Sequence, residues 1–197
     1  MSSDIRNKIL ETAARLFAAH GYAAVSMRRL ATETGMTQAN LYYHFKDKED
    51  LVRSTLAYAF KDRNLSLEEA ITGGNDPESR LELAISWFAR NLFEDAILAK
   101  LFIRELLVAD SERMKYLTER IFQDTFTTLV GLLQDYLGAQ HAVLYGLALT
   151  STILGFFQIS GFTKHLDEVR PELVDPETIS KFLMNELRKK VRGCDTA

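Results

Sequence analysis

The run Gln38-Ala39-Asn40-Leu41-Tyr42 holds the side chains best suited to read nucleic-acid bases. Asn and Gln each present a donor beside an acceptor, the pair that adenine offers in reverse, while a small residue lets a helix approach closely. Gln38, Ala39, Asn40 and Tyr42 are therefore the expected base contacts, with Arg28 a further candidate for guanine or phosphate. Ser26, Thr37, Tyr43, His44 and Lys48 carry the hydroxyl, imidazole and ammonium groups that suit the sugar-phosphate backbone. His44 has two readings, a phosphate contact or packing at the end of the helix. Positive charge brackets the run at Arg28, Arg29, Lys46 and Lys48.

Two short helices about a tight turn would position these groups. Ser26 is placed to cap the first, whose apolar face is Met27, Leu30 and Ala31. Gly35 has the backbone freedom to end it, and Thr37 can cap the next. On a helical wheel Leu41 and Phe45 point together toward a core, with Ala39 and Tyr43 opposite, flanked by Asn40 and Tyr42. The unit reads as a helix-turn-helix that meets DNA; the competing reading takes the outward tyrosine pair as a protein interface. A scaffold helix over residues 4–20 repeats Ile5, Ile9, Ala13, Leu16 and Phe17 at helical spacing, and Gly21 ends it.

The longer pattern Gly35-x-Thr37-x-x-x-Leu41-Tyr42-x-His44-Phe45-x-Asp47-Lys48-Glu49-x-Leu51 resembles the DNA-binding domain of the tetracycline-repressor (TetR) family. The resemblance spans roughly the first sixty residues, with apolar, aromatic and basic positions in register. It implies an all-α fold of about nine helices. An N-terminal three-helix helix-turn-helix domain would be followed by a helical ligand-binding and dimerisation domain. The expected division is residues 1–47 for the DNA-binding domain, a continuous connecting helix over 48–71, and 72–197 for the effector-binding and dimerisation domain. It further implies a homodimer on a palindromic operator in double-stranded DNA, released by a small-molecule effector through the connecting helix. The family varies at the start of the reading helix, where Gln38-Ala39-Asn40 stands here, so the operator is this chain's own.

Charge distribution supports that orientation. The net charge of −3 argues weakly against nucleic acid, but through Arg63 ten basic side chains face seven acidic ones, leaving −6 for the remainder. Asp47 is placed to cap the fourth helix, which puts Lys48 at its first position beside N–H groups that favour phosphate. The lone Cys194 cannot form an internal disulfide, and the N-terminus lacks an apolar signal core, so the expected compartment is the cytoplasm.

Gly73-Gly74-Asn75-Asp76-Pro77 is the clearest break, and Asp76-Pro77-Glu78 starts a new helix. Further helices are expected over residues 96–109 and 111–137. Trp87, Phe88, Phe102, Phe122 and Phe126, with Arg104 and Glu105, are the expected effector-binding residues, and imply a ligand of apolar or aromatic character. Core filling is the commoner use of such aromatics. Arg104 and Glu105 admit three readings: a buried pair, a surface pair or ligand anchors.

Residues 142–163 carry no charge and are long enough to span a bilayer. Thr150, Ser151, Thr152, Gln158 and Ser160 count against lipid, and the small Gly146, Ser151 and Gly155 permit a second helix to approach. The expectation is dimerisation through helices 142–166 and 176–191, with no membrane partner. The alternative is an all-helical interaction or membrane-associated module that does not read DNA. His20, His44, His141 and His165 are scattered, and no phosphate loop or nucleophile elbow occurs, so no enzyme activity, metal or cofactor is expected.

Overall fold

The computed structural model describes residues 2–61, 66–138 and 140–194, and every regular element among them is helical. In order these are α1 Ser2–His20, α2 Met27–Thr34, α3 Gln38–His44, α4 Lys48–Lys61 and the short α5 Leu67–Ala70. There follow α6 Pro77–Glu94, α7 Ala96–Val108, α8 Ser111–Leu117, α9 Gln123–Leu137, α10 Ala142–Thr163 and α11 Pro176–Cys194. The chain forms two compact units, one of α1–α4 with Ala96–Gln123, the other of α5, α6 and α9–α11.

In the first unit α1–α3 are the three-helix head. Ile9, Ala13 and Phe17 of α1, Leu30 of α2, Leu41 and Phe45 at and after α3, and Leu51 and Leu56 of α4 are all at most 1% exposed. Leu101 of α7 and Leu117 of α8 join the same core. The compact head therefore takes in a segment that the sequence division at residue 72 had set apart.

One expected helix is interrupted. The connecting helix does not run on to residue 71. Ser66 has extended backbone, and its hydroxyl accepts from Glu69 N–H while the Glu69 side chain accepts from Ser66 N–H, a capping box that starts α5 afresh. Residues 62–65 of the expected helix lie outside the described residues, as does the side chain of Cys194. The helix over 111–137 forms without a break and contains a π-helical turn, Thr118–Phe122. Leu117 and Ile121 are buried in the first unit, and Leu129, Leu132 and Leu133 in the second.

The second unit is built on α6 against α11. Asp76 caps α6 by accepting from Ser79 N–H, with Pro77 at the first helical position. Gly74 is required just before it, because a Cβ there would lie 2.7 Å from the Arg80 backbone nitrogen. Asp175 accepts from the Glu177 and Thr178 N–H groups to start α11. Leu81, Ile85 and Ala89 of α6 pack with Ile179, Met184 and Leu187 of α11, and Arg188 reaches Glu78 at 2.6 Å and Glu82 at 3.0 Å.

α10 contributes Ala142, Gly146, Leu149 and Ile153 to this core from one side only. Its opposite side, Leu144, Leu147, Ala148, Ser151, Gln158, Ile159 and Phe162, is exposed. The helix is long and apolar enough to cross a membrane, with 22% of its most apolar window buried. Thr150, Thr152 and Ser160 donate to carbonyls of the preceding turn, so their hydroxyls do not oppose lipid as composition alone suggested. The neighbouring α11 does oppose it, since its outer surface carries the ion pairs Glu177–Lys181 and Glu186–Lys189.

Candidate nucleic-acid interface

The reading surface is fixed by local hydrogen bonds before any long-range packing. Ser26 Oγ accepts from Arg29 N–H at 3.1 Å to start α2, and Gly35, at φ 70°, closes it through N–H bonds to Ala31 and Thr32 carbonyls. Thr37 Oγ1 accepts from Asn40 N–H at 3.2 Å to start α3. Burial of Leu41 and Phe45 then turns the opposite face outward, leaving Gln38, Ala39, Asn40, Tyr42 and Tyr43 exposed. Tyr42 and Tyr43 are 51% and 84% exposed, too much for core residues of this unit.

The caps also constrain the contacts these residues can make. The Thr37 hydroxyl donates to Asn40 Oδ1 at 3.1 Å, which turns the Asn40 amide so that its NH₂ is presented outward. Thr37 must release that bond to donate to phosphate, whereas the Ser26 oxygen only accepts and its proton stays available. Arg28 is exposed. His44 is half-buried, edge-on to Tyr43 at 5.2 Å and tilted against Phe45 at 6.4 Å, so the structure gives it packing on both sides.

Asp47 Oδ1 accepts from Asp50 N–H at 2.8 Å and Asp50 Oδ2 accepts from Lys46 N–H at 3.0 Å, which fixes the turn into α4 with Lys48 at its first position. Arg6 ties this assembly together, its guanidinium lying over the Phe45 ring at 5.1 Å and donating to Ser54 Oγ at 3.1 Å. The loss of either partner would loosen the junction of α1, α3 and α4.

The seven expected effector residues are shared between the two units. Phe102 and Phe122 cluster with Phe60 in the first unit, at centroid distances of 5.1–5.9 Å. Trp87 meets Phe88 edge-on at 5.0 Å in the second unit, where Phe126 faces Gly146. Arg104 and Glu105 do not pair with each other. Arg104 donates to the Ala18 and Ala19 carbonyls and so caps the C-terminal end of α1, while Glu105, fully buried, pairs with Arg113 at 3.1 Å. None of the seven lines the cleft of about 470 Å³ in the second unit, which Phe93, Phe157, Val169 and Val174 form beside Lys164 and Glu94. Arg113 was not singled out by its sequence context, because Glu105 and Glu49 lie on other helices.

An all-helical chain whose capped second and third helices project amide, hydroxyl and basic groups from a buried scaffold defines the helix-turn-helix class. Residues 9–55 match the profile of the bacterial regulatory proteins, tetR family. Over this stretch the chain is similar to the DNA-binding domain of that family. It is 22% identical over 199 residues to the uncharacterized HTH-type transcriptional regulator YerO of Bacillus subtilis, covering 95% of this chain and 65% of that one. Over 116 residues it is 32% identical to the HTH-type transcriptional repressor KstR2 of Rhodococcus jostii, covering 58% and 56% respectively. The chain thus spans less than two thirds of the length of these curated relatives. The fold is similar to that of FadR from Bacillus subtilis, a transcriptional regulator solved with stearoyl-CoA, with a TM-score of 0.74, 21% identity, and coverage of 93% and 97%.

Proposed function

We propose that the chain is a ligand-responsive transcriptional repressor that binds a palindromic operator as a homodimer and leaves it when a small molecule binds. The observation that carries this reading is the exposed Gln38-Ala39-Asn40-Tyr42 face on a helix whose ends and buried side are fixed. Gln38, Ala39, Asn40 and Tyr42 meet base edges, with Arg28 on guanine or phosphate. Ser26, Thr37, Tyr43, His44 and Lys48 hold the backbone. The cytoplasm is the compartment in which such a protein meets its operator.

A single head reads one half-site, and two are needed for a palindrome whose half-sites lie about 34–36 Å apart. The apolar outer face of α10, continued onto α11 by the Phe156–Phe182 contact, supports a two-fold dimer through these helices rather than a membrane partner. The small Ala148, Ser151 and Gly155 on that face let a partner helix come close, and a Cβ at Gly155 would meet nothing within 4 Å. FadR holds stearoyl-CoA and KstR2 is a repressor, which supports an apolar effector and repression. The effector acts by binding differently to the operator-spaced dimer and to another arrangement of its heads.

Base and backbone roles separate in one experiment, affinity measured for a set of operator variants across a salt series. Asn40→Ala is expected to relax discrimination at one or two base pairs, by about 1–3 kcal/mol each, and to leave the salt slope unchanged. Lys48→Ala is expected to weaken every site alike and reduce the salt slope by about one for each head. Equal effects of both substitutions on all sequences would refute the division of roles, and no salt dependence in the parent chain would refute the reading itself.

A further inference from the structure

Arg113 lies on α8, far in sequence from the reading helix, yet its guanidinium stands among groups of α4, α7 and the turn between α1 and α2. Nε donates to Glu105 Oε2 at 3.1 Å, Nη1 lies 3.4 Å from Glu49 Oε2 and 3.5 Å from Asp110 Oδ2, and the group sits over the Tyr22 ring at 5.3 Å. Burial opposes its charge, but the three carboxylates outweigh that and raise its pKa. Tyr22 stands in the turn between α1 and α2, and burial, reinforced by Glu105, raises its phenol above the ordinary range. Glu105 is 0% exposed, and its Oε1 has no hydrogen-bond partner among the described residues. A buried carboxylate with one paired oxygen makes the Arg113 contact obligatory, so the orientation of the guanidinium fork is set from inside the protein.

That fixed fork then presents Nη1 to Glu49, the residue next to Lys48 in the first turn of α4. We propose that Arg113 is a positioning residue: through Glu49 it holds the N-terminal turn of α4, and with it Lys48, in register with the reading helix. The consequence for DNA rests on the repressor reading above; the effect on the α4 turn does not. Glu49 also pairs with Arg53 one helical turn on, at 3.4 Å, and Glu49 and Arg53 are 44% and 41% exposed. That pair lies within α4 and cannot tie the helix to α8.

The test is a double-mutant cycle of Arg113→Lys and Glu49→Gln in the full chain, read by amide exchange of residues 49–52 and by operator affinity. Circular dichroism confirms folding, and Arg53 is present in all four proteins. Glu49→Gln spares the buried pair, so it stays informative if Arg113→Lys fails to fold. It is expected to speed exchange in the first turn of α4 and weaken operator binding, each about two- to fivefold, the range a half-exposed ion pair supports. Adding Arg113→Lys to it should change little more. Electrostatics alone predicts the opposite sign for DNA, because removing a carboxylate beside Lys48 favours phosphate. Unchanged exchange, or operator binding that holds or tightens in a folded Glu49→Gln protein, overturns the proposal. Faster exchange in a chain that binds no DNA would remove the repressor reading and leave the positioning of α4 standing.

Discussion

In the proposed dimer, Phe162→Asp is expected to give a monomer and to cost operator affinity at least about a hundredfold at protein concentrations that saturate the parent chain. Phe162 is 65% exposed on the outer face of α10, so the protomer does not depend on it for its own core. In a two-fold interface through α10 the substitution enters twice. Each copy would bury a carboxylate opposite apolar groups such as Leu144, Leu147 and Ile159, and an unpaired buried charge costs several kcal/mol. Both heads must bind for a full operator to be read, whereas affinity for a half-site should be unaffected. Sedimentation of the variant with and without duplex checks both statements. A variant that stays dimeric places the interface elsewhere. Parent chain that partitions into lipid vesicles, and loses this on substitution, would instead give the apolar face of α10 to a membrane.

Arg113→Met is expected to destabilise the chain by about 3–5 kcal/mol, because it strands the Glu105 carboxylate in the core of the first unit. The cost comes from what is left behind rather than from the lost attraction. Replacing both partners, Arg113→Met with Glu105→Leu, should therefore recover most of the stability, since an apolar pair of similar volume needs no compensation. Chemical denaturation of the two proteins compares the midpoints directly. If the double substitution is as unstable as the single one, Arg113 matters through its contacts with Glu49, Asp110 and Tyr22 and not through the buried carboxylate.

The geometry of α2, α3 and the turn between them was legible in sequence because its determinants are local. Ser26, Gly35, Thr37 and Asp47 act within four residues of the groups they cap, and Leu41 and Phe45 are spaced so that burying them turns Asn40 and Tyr42 outward. The start of α6 was legible for the same reason at Asp76-Pro77. What the sequence hid depends on partners distant along the chain. Leu101 and Leu117 read as ordinary helix positions, and only folding shows that they complete the core of the head. Arg104 and Glu105 admitted a buried pair, a surface pair or ligand anchors, but adjacent helix positions point apart and each found a protein partner elsewhere. The end of the connecting helix was missed because the apolar spacing continues through Leu67 and Ile71, while the capping box at Ser66 restarts the backbone beneath it.

The aromatics mark the limit of composition as a guide to a ligand. Phe60, Phe102 and Phe122 satisfy one another in edge-on and tilted contacts, as do Trp87 and Phe88, and such contacts fill space as readily as they line it. Effector contacts by Trp87, Phe88, Phe102, Arg104, Glu105, Phe122 and Phe126 are thus a proposal that ligand-bound chemistry must decide. The structural duties of Arg104 and Glu105 make them the weakest members of that set.

The most direct measurement of the central claim is the recovery of fragments of the source genome by the full chain at two salt concentrations, with sequencing of what is retained. A short palindromic site is expected, retained strongly at low salt and released as salt rises, with half-sites one helical turn or a whole multiple apart. Uniform, weak recovery without a common sequence, from protein refolded free of any bound small molecule, would contradict it.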